Sequence, residues 1–131
     1  MSTAERLESS IERSVVDEYK KAGCVTYKLA ARGRRSWPDR LVLGPGNLHF
    51  FSETKRPGQR LTRKQALKFV ELLNLEKLVY VVTSREEACD VLRMAKRGKL
   101  QPDLLKAQLE PALGRELLRE QLDRGGWLVL G

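Results

Sequence analysis

The sequence predicts an α/β domain: a mixed β-sheet flanked by helices in the order α-β-β-β-α-β-α, followed by a helical C-terminal extension. Three observations carry that reading. Leu7, Ile11, Val15, Tyr19 and Ala22 recur at helical spacing. Arg40–Leu43 and Leu48–Lys55 flank the turn-forming Gly44-Pro45-Gly46-Asn47 and read as a hairpin. Leu78–Val82 is a continuous apolar run, the pattern of a strand buried on both faces.

The first helix is expected over about Thr3 to Ala22, with Gly23 as the residue that ends it. Cys24 to Leu29 is a short β-prone run carrying Val25, Thr26 and Tyr27, and Ala30 to Trp37 is a basic loop. After the hairpin, Arg56-Pro57-Gly58-Gln59 breaks the pattern. Thr62 and Gln65 are spaced as a capping box, opening a helix with Ala66, Phe69, Val70 and Leu73 on one face. Ser84 and Glu87 repeat that spacing before a third helix bearing Ala88, Val91, Leu92 and Ala95. From about Gly98 the chain turns leucine-rich. Pro111 and Gly114 are expected to split this tail into two short helices, and Trp127 to Leu130 to add a strand. Residues 1–97 thus read as the main domain and 98–131 as an extension, a candidate dimerisation element.

At 131 residues, 41% hydrophobic and 32% charged, the chain fits one globular domain with a real core. No apolar run approaches the roughly 20 residues a membrane helix needs. The polar start Met1-Ser-Thr-Ala-Glu-Arg does not resemble a signal peptide, so a cytoplasmic protein is expected. Cys24 and Cys89 lack zinc spacing and are expected as small buried apolar residues. His49 is the only histidine, which excludes a convincing histidine-based triad or zinc site.

Charge is distributed unevenly. Between Lys28 and Lys64 lie ten basic residues and only two acids, Asp39 and Glu53, so this stretch carries the whole net charge of +8. The candidate phosphate contacts are Lys28, Arg32, Arg34, Arg35, Arg40, Arg56, Arg60, Arg63 and Lys64. Two carboxylates left inside such a field suggest a divalent cation where the phosphate will sit.

Strand alternation puts Glu53 and Lys55 on one side of their strand. A hairpin can bring Asp39, which follows Pro38, within reach of the same ion. Hard cations such as Mg²⁺ accept a few carboxylate oxygens, keep several waters and complete their shell with substrate phosphate. Asp39, Glu53 and the carbonyl of Thr54 fit that demand. Lys55 would hold or deprotonate the attacking water, or bind phosphate as a point charge. Glu12 falls inside the apolar arc of the first helix, as does Glu8, and a carboxylate there needs a partner. Glu12 is either a third acid of the site or half of a salt bridge. Trp37 either stacks on a base or anchors the core.

These residues resemble a known family. The run Ile11-Glu12, Lys28, Pro38-Asp39-Arg40, Phe51-Ser52-Glu53-Thr54-Lys55, Pro57-Gly58, Leu61-Thr62 and Gln65 is similar to the virus-type replication-repair nuclease domain, VRR-NUC. That domain belongs to the PD-(D/E)xK superfamily, and the likeness spans about Leu7 to Glu87. It implies a restriction-endonuclease-like core and Mg²⁺ or Mn²⁺ on Asp39 and Glu53. It also implies a catalytic Lys55 supported by Glu12 and Gln65, and a cut leaving 5′-phosphate and 3′-hydroxyl ends. Small stand-alone members look like phage or bacterial proteins that act on branched DNA as dimers. Trp37 departs from the pattern, since the family has glycine directly before Pro-Asp.

The function expected is therefore a metal-dependent DNA endonuclease selective for branched DNA such as Holliday junctions, acting as a homodimer. Two rivals remain. One is a non-catalytic DNA-binding module, and the other is an interaction subunit whose leucine-rich tail docks a replication or repair complex.

Overall fold

The computed structural model describes residues 2–29 and 36–123. Arg32, Arg34, Arg35 and the strand expected at Trp127 to Leu130 lie outside the described residues.

Helix α1 spans Thr3–Lys21. Ser2 caps it, accepting the Glu5 amide at 3.1 Å while the Glu5 carboxylate reaches back to the Ser2 amide. Gly23 follows with φ 85°, a left-handed conformation that glycine adopts without steric cost, and turns the chain into β1, Val25–Lys28. β2 is Arg40–Leu43 and β3 is His49–Thr54. Helix α2, Arg63–Asn74, crosses over to β4, Val79–Val82, and helix α3 is Arg85–Lys96. The expected element order is the observed one.

The sheet has strand order β1-β2-β3-β4, antiparallel except for the parallel β3–β4 pair. Helices cover both faces. On one, α1 and α3 bury Val15, Tyr19, Val42, Phe50, Tyr80, Val82, Ala88 and Val91. On the other, α2 and the C-terminal extension bury Phe69, Leu73, Val79 and Val81. β4 thus sends alternate residues into two cores, which is why its sequence is apolar without interruption.

Two local expectations need correction. Ser84 does cap α3, accepting the Glu87 amide at 3.1 Å. The return half of the box is not made with Ser84, because the Glu87 carboxylate is taken by the amide of Thr83 at 2.6 Å and by the Thr83 hydroxyl. Cys24 is buried as expected, but Cys89 is only half-buried. It lies on the edge of α3 facing α1, and its thiol donates to Glu18 at 3.4 Å.

The extension begins with a π-helical segment, Leu104–Leu109, followed by α4, Glu110–Leu113, and α5, Arg115–Asp123. Gly114 (φ 83°) makes the break, whereas Pro111 sits in the first turn of α4, where its missing N–H costs nothing. Leu104, Leu109, Leu113 and Leu118 are buried in the same core as α2. At about 1.5–3 kcal/mol per buried leucine, that is a decisive commitment of the tail to its own domain. Gln101 adds a lock: its amide accepts from Val81 N–H at 3.0 Å and donates to the Val81 carbonyl at 2.7 Å, covering part of the open edge of β4. Among the described residues no helix is long and apolar enough to cross a membrane.

Candidate active site

The end of β3 and the residue after it carry an unusual load for a central strand. Ser52, Glu53, Thr54 and Lys55 are consecutive, polar and only 2–4% exposed. Buried polar groups need partners. Ser52 meets the Tyr19 hydroxyl at 2.9 Å. Lys55 donates through Nζ to Gln65 Oε1 at 2.9 Å and lies 3.7 Å from Glu53 Oε2. Glu53 Oε1 has no hydrogen-bond partner among the described residues.

Asp39 enters from the residue before β2. Arg40 pairs with Ser52, so the antiparallel register sets Asp39 alongside Glu53. The Asp39 carbonyl takes the Leu29 amide at 2.8 Å, and its Oδ2 takes the Thr54 amide at 2.7 Å. The side chain is thereby fixed to the backbone between the other two site residues. Gln65 has two tasks. Its Oε1 accepts from the Thr62 amide at 3.0 Å, completing the cap of α2, and from Lys55. The capping box and the site are one arrangement.

Glu12 resolves in the same way. Its Oε2 accepts from Arg40 Nε at 2.8 Å, and Arg40 also donates to Thr26 Oγ1 at 3.1 Å. Glu12 is therefore in a salt bridge and still acts on Asp39 through space. Glu8, one turn earlier on α1, acts on both Asp39 and Glu53. It is a neighbouring carboxylate that the sequence motifs do not single out, and its place in the apolar arc is the signal that marks it.

The electrostatics converge on the two carboxyls. Burial pushes Asp39 up to about 6, Glu12 and Glu8 add to the rise, and the Thr54 amide and Lys55 oppose it. Burial pushes Glu53 up to about 8, the neighbouring Asp39 charge adds to it, and Lys55 with the Asp39 backbone amide opposes it. Two acids raised by desolvation and by neighbouring carboxylates, one with an orphaned oxygen, form a site short of positive charge. A divalent cation is the kind of group that would supply that charge. Among the described residues no three His, Cys, Asp or Glu side chains gather as a closed ligand cage. A two-carboxylate donor set suits Mg²⁺ or Mn²⁺ better than zinc.

The basic residues fall into groups. Arg60 in the loop before α2 and Arg63 and Lys64 in its first turn are exposed, close in sequence to Gln65, which holds Lys55. Arg56 is half-buried and held by Gln59, whose Oε1 accepts its amide at 2.9 Å. Lys28 is exposed at the end of β1, and Arg40 is engaged by Glu12. Trp37 packs against the α2 core, 6.2 Å from Phe51 between ring centroids, with Lys68 Nζ 4.7 Å from its own centroid. It anchors the loop leading to Asp39.

No protein-family model matches the chain. The chain is 39% identical over 79 residues to "Putative nuclease p44" of Acyrthosiphon pisum secondary endosymbiont phage 1, covering 60% of this chain and 85% of the relative. In fold it is similar to a solved structure described as "VRR_NUC domain". The TM-score is 0.61 at 22% identity, covering 66% of this chain and 95% of that one.

Proposed function

Because this chain belongs to the family of that phage protein and has the fold of a VRR-NUC domain, we propose that it is a divalent-metal-dependent DNA endonuclease. The observation that carries the reading is Glu53, a buried carboxylate with one unsatisfied oxygen, set beside Asp39 and Lys55 in a basic field.

Asp39, Glu53 and the Thr54 carbonyl are the groups to hold Mg²⁺ or Mn²⁺. When bound, the ion polarises the scissile phosphate and makes a nearby water more acidic. Asp39 is oriented by the Thr54 amide, so its free oxygen keeps a fixed direction. Lys55 is immobilised by Gln65 and Glu53. It presents its remaining N–H to a phosphate oxygen or to the attacking water, and a pre-placed donor costs no reorganisation during reaction. The products are 5′-phosphate and 3′-hydroxyl ends. Glu12 and Gln65 act through their neighbours, Glu12 by holding Arg40 and Gln65 by holding Lys55.

Branched DNA, including four-way junctions, is the substrate class we favour, and a homodimer is the form suited to it. Each subunit carries one such site, and resolving a junction needs two cuts in fixed relation, which a twofold pair supplies. The buried tail leucines are spent within the subunit, so that pairing would use other surfaces. Purified protein incubated with single-stranded, duplex, flap and four-way-junction DNA in Mg²⁺ or Mn²⁺ tests the reading. Mapped cuts that vanish in Glu53→Gln support it, and no cutting of any substrate in either metal overturns it.

A further inference from the structure

A groove of about 280 Å³ opens between α1 and β1, on the flank of the site. Glu12, Arg13, Asp17 and Lys20 line it from the helix, and Lys28 and Arg40 from the strands. Its two acids are already matched. Glu12 holds Arg40 at 2.8 Å, and Asp17 faces Arg85 of α3 at 3.9 Å. Arg13, Lys20 and Lys28 remain, exposed and without an ion-pair partner among the described residues. Three like charges around one concavity repel each other until an anion enters. Among the described residues the groove has no aromatic lining on which a base could stack, so its chemistry suits phosphate rather than bases.

Its position supplies direction. Arg40 stands where the groove meets Asp39, gripped by Glu12 and Thr26. From Glu12 to Lys20 the helix advances eight residues, about 12 Å. That spans roughly three or four phosphates of one duplex strand at about 3.4 Å each along the axis.

We propose that the α1–β1 groove grips the DNA backbone on one side of the cut, with Arg13, Lys20 and Lys28 as its phosphate contacts. This rests on the reading of the chain as a DNA nuclease. It adds Arg13 and Lys20 as binding residues, and it makes the footprint around the scissile phosphate asymmetric.

Anisotropy of fluorescein-labelled four-way-junction DNA, titrated in EDTA over a range of salt concentrations, tests this without cleavage. R13Q/K20Q should weaken binding and flatten the slope of log affinity against log salt by about 2. K77Q/K96Q, which removes the same charge at the opposite end of the sheet, should leave the slope unchanged. K20Q/K28Q serves as a second groove variant, and circular dichroism checks that all three fold. Methylphosphonate scanning should reveal, on one side of the mapped cut, sensitive phosphates whose sensitivity disappears in R13Q/K20Q while that of the remaining phosphates persists. Equal slopes for the groove and control variants, an unchanged or uniformly weakened footprint in R13Q/K20Q, or no DNA binding by the parent protein would overturn the inference. Failure of the parent to cut in Mg²⁺ or Mn²⁺, with these binding results intact, would instead overturn the nuclease reading alone.

Discussion

Gln65 Oε1 lies 2.9 Å from Lys55 Nζ and 3.0 Å from the Thr62 amide, so one side-chain oxygen both caps α2 and holds the lysine of the site. Removing it should therefore uncouple two effects. Gln65→Ala is expected to slow cleavage by about 10–100-fold, the usual cost of losing a group that orients a reacting one. DNA affinity should hardly change. Single-turnover kinetics beside an equilibrium titration would show the split, and a parallel loss of binding would contradict it.

Asp39→Ala, Glu53→Ala and Lys55→Ala should each abolish cutting while leaving DNA bound, because on the proposed reading affinity comes from the exposed basic residues Arg60, Arg63 and Lys64 and not from these three. In EDTA the two acid variants should bind slightly more tightly, since a negative charge leaves the phosphate position. Gel-shift and cleavage assays on the same preparations would check this, and robust cutting by Glu53→Ala in Mg²⁺ would remove the metal assignment.

Glu53 should make the metal-free protein pH-sensitive. Its folded pKa, about 8, exceeds the ordinary value of 4.5. The stability it contributes is thus full below pH 4.5 and is lost as pH rises through about 8. In EDTA, Tm should fall over that window, and Glu53→Gln should flatten the fall while matching the parent near pH 4.5. Asp39, raised to about 6, adds a smaller decline with the same sign. Mg²⁺ should restore Tm most at high pH, with proton release detectable by calorimetry in two buffers. A Tm that rises with pH in EDTA would refute the assignment.

Salt dependence should divide the basic residues by exposure. Replacing Arg60, Arg63 and Lys64 together with Gln is expected to flatten the log–log salt slope by about 2–3, near 0.9 for each phosphate no longer neutralised. An unchanged slope would show that the start of α2 is only a solvated surface.

The extension should be indispensable to folding. Leu109 is fully buried, and Leu109→Ala should cost about 2–5 kcal/mol in urea unfolding without altering the denaturant slope. Truncation after Lys99 should yield poorly folded protein rather than a folded core of altered mass. A folded, active truncation would contradict the packing of the tail against α2.

The element order was legible in the sequence because its boundaries are set locally. Thr62, Ser84, Gly23 and the Gly44–Asn47 turn act within a few residues, and the two-sided burial of β4 shows as unbroken apolarity. Asp39, Glu53 and Lys55 were legible because acids in a basic field stand out and strand alternation fixes their side. What composition could not give was partnership. Leucines in the tail read the same whether a second subunit or the chain's own α2 covers them, and the structure chooses α2. Glu87 has the spacing of a capping box, yet Thr83 offers two donors and takes it. Arg13 and Lys20 look like any solvated helix face until β1 supplies the opposite wall.

The four consecutive buried polar residues at the end of β3 and just beyond it carry an evolutionary consequence. A buried charge pair is often less stabilising than apolar side chains of similar size, so Glu53 and Lys55 are positions where the fold alone would prefer something else. Selection for thermal stability, without selection for activity, should erode these positions early and leave Tyr19, Phe50 and Val82 untouched. Natural or designed homologues that keep the sheet but carry apolar residues at 53 and 55 would then mark lineages released from catalysis, recognisable from two positions of one strand.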